Sequence, residues 1–296
     1  MSEDDLKPIC EDHEIKGRRL SNRLRNEVKA EVEKLVEKYG TSPKLATVIV
    51  GEDPGSQMYI RMKHKASNKA GILSDHHDLP ENTSQEDLLK LIRKLNDDKT
   101  VHGILVQLPL PKQIDEKTII SAIDPLKDVD GFSPTNVYRL FYGEEDLSAA
   151  TPHGIVTMLD RIGWSDLSGK QAVIINRSNI VGKPLIMLLL NRNATVTVCH
   201  SRTKGLHTFT KQADVLVTAI GRRTSDIDPF FITEDMVKEG SVIIDVATPH
   251  GDVDFEKVKG KALCVSPVPG GVGPMTIAML LKNVVAAYIA QVAHSN

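Results

Sequence analysis

The fold of this chain is decided by residues 172–190, which carry the sequence AVIINRSNIVGKPLIMLLL. The first four residues are apolar and predict a short buried strand, and the apolar run after Pro184 predicts a helix. Proline suits the first turn of a helix. The turn between strand and helix would bring free backbone N–H groups and the positive end of the helix dipole to one point. The segment therefore predicts an anion site at the end of a strand.

The surrounding sequence decides how this turn is interpreted. The turn lacks the GxGxxG pattern of the usual dinucleotide-binding loop, and its small residues are Ser178 and Gly182. By itself it fits an ordinary strand-to-helix loop equally well. Further apolar strands at 195–199, 215–219 and 242–246 alternate with helical stretches. This alternation predicts a doubly wound, Rossmann-like domain.

The first half of the chain follows the same rule, with apolar strands at 45–50 and 101–106, a candidate strand at 73–79 between them, and helical segments separating the three. Residues 124–152 carry Pro, Gly, Asn and Asp with little periodicity, which predicts loops that link two halves. We therefore predict an α/β protein of two domains with a cleft between them. Their predicted bounds are residues 1–150 for an N-terminal catalytic domain, completed by a C-terminal helix at 276–296, and 151–275 for the Rossmann-like domain.

Charge and hydropathy narrow the class of protein. The 296 residues include 37 Lys and Arg against 39 Asp and Glu, a net charge of −2, which argues against a general nucleic-acid or anionic-membrane binder. No uninterrupted run of about 18 apolar residues is present, so we expect no transmembrane helix. The acidic start MSEDDLKPICEDHEIKG lacks the apolar core of a signal peptide. We expect a cytoplasmic protein that binds a small molecule, and neither nucleic acid nor membrane.

Cysteine and histidine spacing predicts no metal site. Cys10, Cys199 and Cys264 form an odd, sparse and widely spaced set, which argues against a disulfide framework and against zinc. His76 and His77 are adjacent, so their side chains point apart. No HExxH pattern occurs.

The end of the second strand of the Rossmann-like domain indicates the type of cofactor. NAD sites usually place an acidic residue there to hold the ribose diol, but residues 199–203 read CHSRT. Ser201 can hydrogen-bond a 2′-phosphate, and Arg177 or Arg202 can pair with it. This favours NADP over NAD as cofactor, unless the arginines are merely solvated.

Residues 57–65, QMYIRMKHK, lie on a predicted helix and suggest an acid/base group. Tyr59 and Lys63 are four residues apart and therefore share a face. A lysine in a dry cleft has a lowered pKa and can exchange protons near neutrality. The alternative is an ordinary surface pair.

Three loops also suggest ligand contacts. Gln107 follows the third strand, and ligands of open α/β sheets bind outside such strand ends. Asp128 and Asp130, in the sequence KDVDG, could accept N–H bonds from an amino-pyrimidinone edge or could form a turn without ligand. Residues 267–276, PVPGGVGPMT, combine glycines that let backbone approach a ligand with prolines that stiffen the loop. A structural hinge is the alternative for this last loop.

Six motifs occur in a characteristic order: YIRMKHK, VQLPLP, KDVDG, RSNIVGKP, NATVTVCHSRT and PVPGGVGPMT. Together they resemble the methylenetetrahydrofolate dehydrogenase/methenyltetrahydrofolate cyclohydrolase family, the bifunctional FolD-type enzymes of one-carbon metabolism. The resemblance runs from about residue 10 to residue 290. It implies oxidation of 5,10-methylenetetrahydrofolate with NADP+, followed by hydrolysis of the methenyl product to 10-formyltetrahydrofolate, and a homodimer.

The resemblance also implies roles by matching position. Lys63 would be the central acid/base of the cyclohydrolase step, Tyr59 would contact the folate, and Gln107 would hold and tune Lys63. Asp130 would anchor the pterin edge. The folate site would be lined further by Pro267, Gly270 and Gly271.

On the cofactor side, the resemblance assigns the phosphates of NADP to Asn176, Arg177, Ser178 and Ser201. Two departures from the family pattern affect this side. Asn176 stands where most members have glycine, and it could crowd the pyrophosphate or donate an extra hydrogen bond. Residues 244–251 replace the usual Gly-Ile-Asn, so that Thr248 falls where a contact to nicotinamide is expected.

These departures leave alternatives open. The enzyme could retain one of its two activities, or it could prefer NAD. A sensing module that binds folate or nucleotide without turnover is a third possibility, against which the retained Tyr59, Lys63 and Gln107 argue.

Overall fold

The structure is a computed structural model that describes residues 8–293. Its strands are β1 (Cys10–Glu11), β2 (Glu14–Ile15), β3 (Lys44–Val50), β4 (Leu73–Leu79), β5 (Gly103–Val106), β6 (Gln171–Ile175), β7 (Thr195–Cys199), β8 (Val215–Thr218), β9 (Val242–Asp245) and β10 (Cys264–Val265). Its α-helices are α1 (Gly17–Tyr39), α2 (Pro54–Lys69), α3 (Gln85–Asp97), α4 (Glu116–Ala122), α5 (Pro134–Phe141), α6 (Ala150–Arg161), α7 (Gly182–Leu190), α8 (Leu206–Thr210), α9 (Phe255–Lys259) and α10 (Val272–Ala293).

The described residues form two compact units. The Lys63 unit comprises residues 24–148 and 280–293, and the Asn176 unit comprises residues 8–23 and 149–279. Both are α/β structures with parallel strands, as predicted. The three predicted strands of the first half and the four of the second are confirmed, with small shifts at their ends.

The Lys63 unit is built on a three-stranded parallel sheet in the order β4-β3-β5. The middle strand β3 is buried along almost its whole length, which explains its mostly apolar sequence. Helix α3 packs Leu88 and Ile92 against Val48 and Ile104 of the sheet. Gln107 follows β5, where its backbone N–H donates to the carbonyl oxygen of Val48. The sheet thus carries Gln107 at the carboxyl ends of its strands.

The Asn176 unit is built on a seven-stranded sheet in the order β1-β2-β10-β9-β8-β6-β7. Strands β6 to β10 run parallel, and β1 is antiparallel to β2. Strand β6 lies between β7 and β8, so the turn that follows it, residues 176–181, is flanked by the ends of both neighbours. This is the doubly wound arrangement that the alternation of strands and helices predicted.

The observed unit bounds differ from the predicted domain bounds. Residues 8–23 group with the Asn176 unit because Glu14 in β2 pairs with Val265 in β10. The boundary between the two units falls within the C-terminal helix α10, after Met279. Strand pairing between chain ends leaves no signal in local composition, so the sequence pattern placed residues 8–23 with their neighbours along the chain.

Two expectations need correction. Residues 124–152 are not all loop, because α5 lies within them. The Oγ atom of Ser133 accepts a hydrogen bond from the backbone N–H of Asn136, and Pro134 follows this cap in the first turn. Residues 133–136, SPTN, carry the capping signal of this helix. The prediction missed the helix because the residues around this signal have the composition of a loop.

The cysteine prediction is also wrong in part. Cys10 and Cys264 form a disulfide, with their Cα atoms 6.2 Å apart, although they are 254 residues apart along the chain. They meet because β1 and β10 belong to the same sheet, each beside β2. Cys199 is a buried free thiol.

Helix α10 has the length and mean hydropathy, 1.5, of a membrane-spanning helix, although it contains no uninterrupted run of about 18 apolar residues. Its apolar window is 61% buried within the structure, as in the core helix of a soluble protein. Its polar side chains are also used internally. The Nδ2 atom of Asn283 donates to the carbonyl oxygens of Val129 and Ser148, both at 2.8 Å.

Candidate functional site

Lys63 lies in the third turn of α2, which begins at Pro54. The carboxylate of Asp53 caps this helix by accepting from the backbone N–H of Ser56 at 2.7 Å. The Nζ atom of Lys63 donates to Oε1 of Gln107 at 3.0 Å. The same amide donates through Nε2 to the carbonyl oxygen of Leu108 at 2.7 Å. Because its N–H₂ group is occupied in this way, the amide presents its oxygen to the lysine.

The loop that carries Asp130 is held firmly on its N-terminal side. Lys127 is 5% exposed, and its Nζ atom donates to the carbonyl oxygens of Leu95, Asn96 and Asp98. These carbonyls lie at the C-terminal end of α3, where a cation is favourable. Lys127 therefore has a structural role.

Asp128 holds the other side of the loop. Its carboxylate accepts hydrogen bonds from the backbone N–H groups of Gly131 and Ser133, and from Nδ2 of Asn136. All these contacts are internal, so Asp128 shapes the turn. Of the two predicted aspartates, only Asp130 interacts electrostatically with Lys63.

The two charged groups shift each other's proton equilibrium. Burial lowers the pKa of Lys63, and the negative charge of Asp130 opposes this shift. Burial raises the pKa of Asp130 to about 6, while the charge of Lys63 opposes it. The neutral amine is thus more accessible near neutrality than in an ordinary lysine. The arrangement can accept and return a proton.

Tyr59 lies one turn before Lys63 on the same face of α2 and is partly exposed. Within residues 8–293 its hydroxyl group has no hydrogen-bond partner. It remains available for a ligand.

His64 is a residue that the sequence analysis missed. Its Nε2 atom lies 2.8 Å from Oγ1 of Thr47 in β3, and its Nδ1 atom lies 2.5 Å from Oγ of Ser74 in β4. Because His64 follows Lys63 directly, these bonds set the rotation of α2 at the lysine. No motif pointed to this role, since Thr47 and Ser74 become neighbours only when β3 and β4 pair.

In the Asn176 unit, the turn after β6 is tied to the end of β8. The Nδ2 atom of Asn176 donates to the carbonyl oxygen of Ala219 at 2.6 Å, and its Oδ1 accepts from the backbone N–H of Ser178 at 2.7 Å. A Cβ atom on Gly182 would lie 2.5 Å from the carbonyl oxygen of Asn176, so the turn requires glycine there. The Asn176 amide is therefore used to shape the turn.

A cavity of about 270 Å³ opens beside this turn. It is lined by all four residues predicted to hold the NADP phosphates, namely Asn176, Arg177, Ser178 and Ser201. It does not include Arg202. Its wall also contains residues that the sequence analysis did not select as ligands: Ile175, His200, Leu206, Ala219, Ile220, Arg222 and Phe231.

The chemistry of this wall fits a phosphorylated dinucleotide. Arg177, Arg222 and Ser201 supply donors for phosphate, and no wall residue is acidic. Leu206 and Ile220 supply apolar surface suited to a purine ring. An acid that would select the ribose diol of NAD is missing from this wall.

A second cavity of about 520 Å³ in the same unit is lined by Asp245, His250 and residues 267–269, among others. Burial raises the pKa of Asp245 to about 7. Thr248 is exposed, and in the described part of the chain it lines neither of these two cavities. Its predicted contact with nicotinamide stays a prediction.

The loop at 267–271 needs its glycines. The backbone N–H of Gly271 donates to the carbonyl oxygen of Pro267 at 2.8 Å, and a Cβ atom on Gly271 would lie 2.6 Å from that oxygen. Gly270 has φ +114°, which favours glycine. Their predicted contact with folate stays a prediction. Within residues 8–293, no three His, Cys, Asp or Glu side chains group as metal ligands.

Comparison with known proteins gives a family match for both halves of the chain. A family model for the tetrahydrofolate dehydrogenase/cyclohydrolase catalytic domain matches residues 15–130, and one for the NAD(P)-binding domain of the same family matches residues 149–292. The bifunctional protein FolD of Moorella thermoacetica is 53% identical over 280 residues, which are 92% of this chain and 97% of the relative.

Two solved structures extend the comparison. The FolD dehydrogenase/cyclohydrolase of Campylobacter jejuni is 45% identical with a TM-score of 0.88, over 93% of this chain and 98% of that one. The Trypanosoma brucei enzyme, complexed with NADP cofactor and inhibitor, is 35% identical with a TM-score of 0.88, over 94% and 98%. This chain belongs to the tetrahydrofolate dehydrogenase/cyclohydrolase family.

Proposed function

We propose that this chain oxidises 5,10-methylenetetrahydrofolate with NADP+ and hydrolyses the methenyl product to 10-formyltetrahydrofolate, with Lys63 as the proton carrier of the second step. The observation that carries the proposal is the contact of 3.0 Å between Nζ of Lys63 and Oε1 of Gln107, with Asp130 interacting electrostatically with the same amine. The family to which the chain belongs supports both activities.

In the cyclohydrolase step, water adds to the methenyl carbon and forms a C–O bond. The neutral amine of Lys63 takes one proton from that water. The bond from this carbon to N5 of the folate then breaks, N5 receives the proton from Lys63, and the hydroxyl group on carbon loses its proton to solvent as the formyl group forms. The methenyl substrate is cationic, and its charge favours the neutral form of Lys63 while it is bound.

Asp130 and Tyr59 serve binding in this proposal. The carboxylate of Asp130 anchors the amino-pyrimidinone edge of the pterin, and Tyr59 contacts the folate rings. Gln107 positions the Lys63 amine because its own N–H₂ group is already directed to the carbonyl oxygen of Leu108.

The cofactor belongs to the cavity beside the turn after β6. When bound, NADP+ accepts the hydride from the methylene carbon. Arg177, Ser178 and Ser201 would hold its phosphates, and Asn176 would keep the turn in shape through Ala219. The departure from glycine at Asn176 therefore removes no phosphate donor, which supports retention of the dehydrogenase activity.

The proposal is tested by Lys63→Met, which keeps most of the apolar stem but no amine. We expect cyclohydrolase turnover to fall by at least about 100-fold, while NADP+ reduction stays measurable. Lys65→Met removes an exposed lysine of the same helix and should leave both activities unchanged. Unchanged cyclohydrolase turnover in Lys63→Met would exclude Lys63 from this role.

We also infer a homodimer, on the resemblance to the family alone. Light scattering coupled to size-exclusion chromatography measures it, and the mass of a single 32.5 kDa chain across micromolar concentrations would contradict it. The cytoplasmic location stays a prediction.

A further inference from the structure

Two adjacent arginines, Arg222 and Arg223, follow strand β8 and are used in different ways. Arg223 is 8% exposed and stabilises its own loop. Its Nε and Nη2 atoms donate to the carbonyl oxygens of Asp228 and Asp226, both at 3.0 Å, and Nη1 donates to that of Gly251 at 2.7 Å. Its guanidinium also lies 3.9 Å from the ring centroid of Phe230. Each of the three guanidinium nitrogens of Arg223 thus has a hydrogen-bond partner.

Arg222 has none of these contacts. Its side chain is exposed and contributes to the wall of the 270 Å³ cavity together with Arg177, His200 and Ser201. Within residues 8–293, its guanidinium has no hydrogen-bond or ion-pair partner. The Arg222 guanidinium, a planar cation with five N–H donors, therefore lies at a cavity whose wall has no acidic residue to balance its charge.

The backbone that carries Arg222 is fixed on both sides. Asn176 holds the carbonyl oxygen of Ala219 at 2.6 Å. The carboxylate of Asp252 accepts from the backbone N–H groups of Ile220 at 2.8 Å and Gly221 at 3.1 Å. Arg223 fixes the chain immediately after Arg222. The Cα position of Arg222 is therefore fixed, while its side chain makes no hydrogen bond or ion pair within residues 8–293. This arrangement is expected of a residue that binds an anionic ligand.

We propose that Arg222 pairs with the 2′-phosphate of NADP and acts as a specificity-determining residue against NAD. The inference rests on the proposed cofactor role of this cavity. Ser201 lies two residues after the end of β7, and in doubly wound folds the ribose 2′ position of a bound dinucleotide is recognised at the end of this strand. Arg222 approaches the same cavity from the end of β8, so the phosphate would be held from two strand ends.

A competing role for the same guanidinium is stacking on the adenine ring. Stacking would strengthen binding of every adenine nucleotide equally, whereas a phosphate contact acts only on those with a 2′-phosphate. Comparing 2′,5′-ADP with 5′-AMP separates the two roles without measuring enzyme activity.

The experiment is isothermal titration calorimetry of the full chain with these two nucleotides. For Arg222→Gln we expect the Kd of 2′,5′-ADP to rise about 10- to 100-fold and that of 5′-AMP to change less than about twofold. Arg222→Lys should recover part of the affinity. Lys204→Gln, which removes an exposed charge outside the cavity wall, is the matched control and should behave like the unmodified chain.

The outcomes are distinguishable. If the unmodified chain does not bind 2′,5′-ADP more tightly than 5′-AMP, the proposed NADP site itself fails. If it does, but Arg222→Gln weakens both nucleotides equally or neither, the cofactor site stands and the role of Arg222 in specificity is overturned. Circular dichroism of each variant reports whether the fold is kept.

Discussion

Oε1 of Gln107 accepts a hydrogen bond from Nζ of Lys63 at 3.0 Å, across 44 residues of sequence. The acceptor is a neutral amide, so the contact holds the amine in place without adding a charge that would keep it protonated. Burial can then lower the pKa of Lys63 against the single opposing charge of Asp130.

Gln107→Glu should shift the pH profile of the cyclohydrolase step. A carboxylate at this position stabilises the ammonium form and raises the pKa of Lys63, so the neutral base appears only at higher pH. We expect the acidic limb of the profile to move up by about one unit or more, measured as the turnover of methenyltetrahydrofolate against pH. Gln113→Glu, which adds the same charge at an exposed site, should leave the limb in place. An unmoved limb in Gln107→Glu would disprove the tuning role.

His64→Leu should reduce both stability and the rate of the cyclohydrolase step. The change removes the bonds to Thr47 and Ser74, so we expect a loss of about 1–3 kcal/mol in the free energy of unfolding and a lower kcat. Urea unfolding and turnover measure the two effects. His207→Leu, which removes an exposed ion pair with Asp235, should cost less than about 1 kcal/mol. Equal effects of the two variants would count against a positioning role for His64.

His102 should make stability depend on pH. Burial, followed by the charge of Lys127, lowers its pKa to about 4, and its Nδ1 atom accepts from the backbone N–H of Lys44 at 3.1 Å, which requires the neutral ring. The unfolded histidine titrates near about 6.5. The contribution is therefore present above pH 6.5 and is lost as the pH falls from there towards 4.

We expect His102→Asn to reduce the fall in unfolding free energy between these pH values, because asparagine keeps an acceptor for Lys44 but does not titrate. The difference should reach up to about 3 kcal/mol in urea titrations at several pH values. Parallel pH curves for the two proteins would show that His102 is not the group responsible.

Asn176→Gly should loosen the cofactor turn. It removes the bonds to Ala219 and Ser178, so we expect about 1–3 kcal/mol lower stability and weaker binding of NADP+ by fluorescence titration. Asn179→Gly lies in the same turn and loses only an exposed contact with Lys183. Binding as tight as in the unmodified chain would mean that the bridge to Ala219 is dispensable.

Much of the fold followed from the sequence because burial imposes a local periodicity. The run at 172–175 had to be a strand between covered faces, and the helices after it had to lie outside the sheet. The same logic located Gln107 and Ser201 at strand ends, where ligands bind. Helix α5 was missed because its only local signal is a short capping sequence, and the Pro, Gly, Asn and Asp residues around it are typical of loops.

The sequence by itself determined which residue types stand at the strand ends, and therefore the α/β class and the chemistry available at each turn. Only the tertiary structure decided which of these residues meet. It joined Cys10 to Cys264 and placed His64 between Thr47 and Ser74. It also placed Arg222 in the cavity wall, whereas Arg223 donates its hydrogen bonds to its own loop and to Gly251. The physical reason is that local patterns report how deeply a few neighbouring residues are buried. Contacts between distant residues depend instead on the order in which strands pair.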